Sequence, residues 1–196
     1  MLKRTVLALA LVLVLAFGGL AQSNQQTAHR EALQKLLLTQ DEIVSILGSG
    51  WSLQTTGDLA KEPKGAISAA AVYQKPGEQR GQVFQATDAL LEFADVQTAS
   101  AFFTDQLLKD LFTSPVIPKA DDPQLAKIKE GLGVGSRDKN GADDATFATL
   151  QETDERLIAF VKGQRISFVR GNLSLDDLLK LAKKQLDILV NGRPSA

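Results

Sequence analysis

The chain contains no cysteine. That absence excludes disulfides, thiol nucleophiles and sulfur-ligated metal centres. It also excludes lipid attachment at a signal cleavage site, which needs a cysteine there. Histidine is nearly absent too: His29 is the single one, so a histidine-based metal site or a Ser-His-Asp arrangement would have to be built on it alone. It stands in residues 22–30, a polar stretch rich in Gln and Asn, and reads as a solvated lead-in residue. An excess of charge of one sign is missing as well. Lys and Arg number 22 against 23 Asp and Glu, a net charge of −1, which gives no electrostatic case for nucleic acid or an anionic membrane surface. After residue 21 no apolar run approaches the roughly twenty residues needed to cross a bilayer, so no membrane span is expected beyond that point.

What is present begins with an export signature. Lys3 and Arg4 precede an apolar run over residues 5–17, and Gly18-Gly19-Leu20-Ala21 puts small residues at the −3 and −1 positions of a cut before Gln22. This is the layout of a secretory signal peptide, the alternative being an uncleaved N-terminal anchor. The expected organisation is a signal peptide over 1–21, a flexible or partly helical lead-in over 22–35, and one domain over 36–196. The mature chain is then secreted or periplasmic, and without disulfides its core packing must hold it together.

Periodicity and punctuation give the elements. Thr39 and Glu42 have capping-box spacing, Ile43, Ile46 and Leu47 share a helical face, and Gly48 supplies a stop, so a short helix is expected there. Strands are expected over 51–55, 66–74 and 83–94, with Lys75-Pro76-Gly77-Glu78 as a turn. Asp95 caps a helix running to Phe112, with an apolar stripe through Ala99, Phe102, Phe103, Leu107 and Leu111. Residues 114–135 are the least regular, although Pro123 can open a short helix through Lys129. Asn140-Gly141 is a hairpin-type turn signal. Three more strands are expected over 145–150, 156–162 and 165–170, the last two joined by Gly163-Gln164. Ser174 caps a final helix, and Asn191-Gly192 ends it. The fold class is therefore α+β: an antiparallel sheet of about six strands, two long amphipathic helices packed on it, and a short N-terminal helix.

Several motifs carry two readings. Gly131-Leu132-Gly133-Val134-Gly135 resembles a phosphate loop but has Ser136 where the dinucleotide fingerprint needs glycine. Residues 138–144, with Asp138, Asn140, Asp143 and Asp144, offer oxygen ligands at calcium-like density, but Ala142 and the early Gly141 break the EF-hand pattern. Asp121-Asp122 and Asp143-Asp144 are solvated loop carboxylates unless the fold brings the pairs about 5–10 Å apart. Arg156, Lys162, Arg165 and Arg170 are either edge and surface charge or, where they share a face, an anion patch. Trp51, after Gly48-Ser49-Gly50, is a core anchor or a pocket wall.

Three stretches together resemble a wider class: Leu36-Leu37-Leu38-Thr39 leading to Gly48, the strand-to-helix passage from Leu90 to Phe112 with Phe93-Ala94-Asp95 and Ala99, and Ile166-Ser167-Phe168-Val169-Arg170-Gly171-Asn172 before a terminal helix. They are similar to the extracellular sensor domains of mycobacterial receptor kinases and to small exported lipoproteins of the Mog1/PsbP-like fold. The resemblance implies a sheet sandwiched by helices that binds ligands or proteins outside the membrane, and it supplies no catalytic residues. The chain departs from both groups in lacking their cysteines.

The expectation is an exported, non-enzymatic binding or interaction domain of the bacterial cell envelope or exterior, with no cofactor and no metal. Its partner is an unidentified envelope protein. The alternative is a carrier of a small apolar ligand, held between the sheet and the helices bearing Phe102, Phe103 and Leu186. The candidate contact residues are Trp51, Phe103, Arg165 and Arg170.

Overall fold

Four helices, those opening after Thr39, Asp95, Asp122 and Ser174, start on a side-chain cap. A computed structural model describes residues 26–136 and 139–193. The signal-peptide reading of residues 1–21 and the Asp138 end of the calcium-like loop lie outside the described residues. Helix α1 covers residues 26–34. The chain divides into an N-terminal unit, Met1–Ala32, whose described part is helical, and a second unit, Leu33–Ala196, which holds every other element.

In that second unit Thr39 accepts from the Glu42 N–H while the Glu42 side chain accepts from the Thr39 N–H, a reciprocal capping box that opens α2 (Gln40–Leu47); Gly48 closes it at φ 87°. Strands β1 (Ser52–Gly57), β2 (Ala66–Pro76) and β3 (Val83–Phe93) follow as a meander. Asp95 caps α3 (Val96–Asp105) by accepting from the Thr98 N–H, and a second short helix, α4 (Leu107–Leu111), comes straight after. A two-residue strand β4 (Pro115–Val116) precedes α5 (Pro123–Gly131), which Asp122 caps with Pro123 in the first turn. The chain ends with β5 (Asp144–Leu150), β6 (Glu155–Lys162), β7 (Arg165–Gly171) and α6 (Leu175–Asn191), the last capped by Ser174.

The seven strands form one sheet in the order β1-β2-β3-β7-β6-β5-β4, antiparallel throughout. The α+β class and the antiparallel sheet are as expected, and β4 adds a seventh strand at one edge. Two meanders, β1-β2-β3 and β5-β6-β7, meet along β3 and β7 at the centre, where Ala89 pairs with Phe168. Both faces of the sheet are covered. On one face α2, α5 and α6 enclose Tyr73, Leu90, Ile158, Phe160 and Val169; on the other α3 and α4 enclose Leu91, Phe93, Leu157, Ala159 and Phe168. Central strands buried on both faces need no polar alternation. This explains why the Ala89-Leu90-Leu91 run blurs the strand signal.

Two expectations are corrected in detail. The helix from Asp95 to Phe112 is broken at Gln106, whose φ of −125° leaves the helical region. A straight helix carrying Ala99 and Phe103 inward would also carry Gln106 and Asp110 inward, seven residues further on. The break re-phases the chain, so that Leu107, Leu108 and Phe112 are buried while Gln106 and Asp110 stay exposed. Asn140-Gly141 joins no hairpin, because the element before β5 is helix α5. Gly141 instead packs its Cα against the backbone of Gly133, where any side chain would collide with the Gly133 carbonyl.

Candidate functional site

The four residues singled out from sequence do not gather in one place. Trp51 is buried in the cluster under α6, and Phe103 is buried in the cluster under α3 and α4, on the other face of the sheet. Leu186 lies with Trp51 and Phe102 with Phe103, so the three apolar residues proposed to grip one carried ligand stand on opposite sides of the sheet. Arg165 and Arg170 occupy one strand five positions apart, and strand alternation sends them to opposite faces as well. Arg165 is paired with an acid. Its Nε donates to Glu92 Oε2 at 2.6 Å across the β3–β7 ladder, and Gln164 donates to the other Glu92 oxygen at 3.0 Å.

Arg170 is in a different situation. It pairs with Thr87 on β3 and Leu157 on β6, on the face under α3 and α4. Phe168, two residues earlier, lies beside it, and α4 delivers Leu111 and Phe112 above. The Phe112 and Phe168 rings meet edge-on with centroids 5.3 Å apart, and the Arg170 guanidinium carbon sits 5.8 Å from the Phe112 ring centre. The loop after β1 forms the remaining wall. The Leu59 N–H donates to Ser68 Oγ, and Lys61 Nζ donates to the Asp110 carbonyl at 2.6 Å, tying this loop to the end of α4. The result is a cleft of about 180 Å³ lined by apolar side chains together with Thr87, Lys61 and Arg170, and by no acid.

The polar groups of this cleft are short of partners. Among the described residues the Arg170 side chain donates no hydrogen bond; its nearest carboxylate oxygen, Glu155 Oε2, is 3.8 Å from Nη1, and its buried Nε has no acceptor. The buried Thr87 hydroxyl is also unmatched. Arginines elsewhere in or beside the sheet are committed to the protein: Arg156 donates to the Leu173 carbonyl, and Arg193 to the Lys35 and Leu37 carbonyls and to Glu42. A guanidinium held in place by a ring and a distant carboxylate, with its donors unspent, is built to receive an acceptor.

Other groups that sequence chemistry would nominate are closed off. Asp88 is the most perturbed acid: burial pushes its carboxyl up to about 7, and the nearby Glu42 carboxylate adds to this. Its Oδ2 accepts from the Leu38 N–H at 2.7 Å, while Tyr73 donates its hydroxyl to the Leu38 carbonyl. Asp88 is only 1% exposed, so it pins the Leu38 peptide to the sheet rather than meeting a solute. The cleft beside it, about 530 Å³ and lined by Leu37, Leu53 and Arg193 among others, has its arginine already spent. In the calcium-like loop, Asp143 accepts from the Gly163 N–H at 2.6 Å and Asp144 pairs with Lys129 at 2.7 Å, so both carboxylates already serve the protein. Among the described residues no group of three or more His, Cys, Asp or Glu stands together to hold a metal, and no helix is long and apolar enough to cross a membrane.

Thr87, Lys61 and Phe112 escaped the sequence reading because each looks ordinary in its own segment. Asp88 does carry a sequence signal, an acid placed directly before the apolar Ala89-Leu90-Leu91 of a strand.

No family model and no curated protein matches the chain. Among solved structures it is similar to the extracellular domain of PknH from Mycobacterium tuberculosis, at 14% identity and a TM-score of 0.51, with 84% of this chain and 97% of that one covered. At that identity the likeness speaks for the fold alone. It agrees with the helix-covered antiparallel sheet expected from the resemblance to kinase sensor domains.

Proposed function

We propose that the chain is an exported, non-enzymatic binding domain whose ligand site is the Arg170 cleft. The observation that carries this is a half-buried guanidinium in an apolar cleft with no hydrogen-bond acceptor among the described residues. Burying polar groups unmatched is costly, so such a site is retained for a partner that completes it. Export is supported by the apolar N-terminal run with small residues before Gln22, and by a fold shared with a domain that lies outside its cell. The cleft brings no nucleophile–base pair, and the lone histidine lies on α1, which favours binding over catalysis. Mog1/PsbP-like kinship remains an expectation from the sequence alone.

Thermal melts against a small-molecule library test the site. A ligand at a hundred times its Kd should add about 2.7 kcal/mol of stability. Compounds that stabilise the protein should lose most of that effect in Arg170→Gln. Stabilisation equal in both proteins would place the binding elsewhere and sink this reading.

A further inference from the structure

We infer, on the reading that the Arg170 cleft is the binding site, that it takes a small monocarboxylate with a compact apolar body. The guanidinium presents parallel N–H donors, the arrangement that a carboxylate fills with two bonds. The Phe112 ring lies on one side of the guanidinium, its centre 5.8 Å from the guanidinium carbon, which narrows the side-chain freedom that binding must remove. Lys61 spends one of its three donors on Asp110 and adds a second positive charge at the rim. Glu155 stands 3.8 Å from Arg170 behind the wall, so its charge offsets one of the two cations and the surplus matches a single negative charge.

Two features argue against a strongly charged anion such as phosphate. The cleft lies at the C-terminal end of α4, whose partial negative charge penalises a doubly charged anion more than a singly charged one. Beyond Arg170, Lys61 and the Thr87 hydroxyl, its walls, from Leu59, Leu111, Phe112 and Phe168, add no side-chain hydrogen bond for the further oxygens of a phosphate. A neutral apolar ligand fares no better, because it would cover Arg170 and leave its donors unmatched. The volume, about 180 Å³, lies below the range of drug-sized sites and limits the apolar body to roughly one ring or a short chain.

Titration of the protein with benzoate, hexanoate, benzamide and inorganic phosphate, followed by amide NMR shifts, tests this. Either carboxylate should shift the amides of Thr87, Phe112 and Arg170 saturably. Benzamide and phosphate should bind about tenfold more weakly or worse, the loss of one charge-assisted contact. Arg170→Gln should weaken the carboxylate at least as much, and Lys61→Gln several-fold. Should the arginine variant fail to fold, Lys61→Gln and the four-probe ranking decide. Benzamide or phosphate binding as well as benzoate would overturn the proposed ligand class, as would carboxylate shifts at other amides. If neither carboxylate bound below about 10 mM, the limit expected for a ligand of this size, the ligand class would fall. A library compound of another class that moved the same amides would show that the cleft reading survives, and silence from every compound would sink both.

Discussion

Asp88 is a carboxyl placed where water cannot reach it, and its cost to the fold depends on its charge. Unfolded, it ionises near its ordinary value of 3.8; folded, burial raises that to about 7. Between these values the native state holds the proton and the unfolded chain does not, so this group makes stability fall as pH rises from about 4 to 7 and level off above. Glu42 works the other way: burial pushes its carboxyl up, but hydrogen bonds from Thr39 and the Arg193 guanidinium outweigh that and hold it low, so its contribution is lost in acid. Tyr73, raised by burial and by the Asp88 charge, stays protonated through the whole window. Urea melts from pH 4 to 8 should therefore give Asp88→Asn a flatter decline than the parent, the two curves separating with rising pH. Parallel curves would mean that Asp88 does not titrate in this range. Phe103 allows a simpler estimate: it is 6% exposed and packed beneath α3, so Phe103→Ala should cost about 3–5 kcal/mol in the same melts. A loss below about 1 kcal/mol, as for an exposed site, would remove Phe103 from the core. At this scale the sequence was partly readable. Burial of Trp51 and Phe103 followed from hydrophobicity and spacing. The unequal fates of Arg165 and Arg170 did not, since strand parity separates them but only the neighbouring strands say that one hydrogen-bonds Glu92 while the other has Glu155 only at 3.8 Å.

Helices were legible at their starts, because caps are local. Thr39 with Glu42, Asp95, Pro123 and Ser174 are local signals, and each marks the opening of a helix, although the Asp122 cap before Pro123 shows only in the structure. Interruption of a helix is a tertiary matter. The break at Gln106 follows from which side chains the sheet below can accept, and a stripe drawn at helical spacing carries no record of that. The same holds for the cleft, whose walls come from residues 59–61, 87, 111–112 and 168–170 and are neighbours only through the strand order. The α2 cap is a test of local against tertiary support. Thr39→Ala removes the hydroxyl that accepts from the Glu42 N–H and should cost about 1 kcal/mol in chemical denaturation. A change near zero would mean that Arg193, bonded to Glu42 at 3.0 Å, anchors this turn without the cap.

The second unit, Leu33–Ala196, is built on an open sheet whose two edge strands are each guarded differently. Strand β1 is polar, Ser-Leu-Gln-Thr-Thr-Gly, and mostly solvent-facing. Strand β4 is two residues long and starts with Pro115, while Val116 and Ile117 beyond it are about half exposed. A proline cannot donate to a neighbouring strand. Pro115→Val should therefore raise concentration-dependent self-association, read by light scattering; an unchanged signal would show that the brevity of β4 protects this edge by itself. The pairing of β3 with β7 has a further consequence, in time rather than in space. Arg165 meets Glu92 across 73 positions, Gln185 reaches the Leu36 carbonyl across 149, and Arg193 holds Lys35 across 158. A ribosome adding about 5–20 residues each second delivers the first meander well before the strand that must lie beside it. Until β7 arrives, the flank of β3 is an unpaired edge, and the segment around Leu36 waits for the last helix. While β7 is still unmade, the line that will become the centre of the sheet has only one of its two strands.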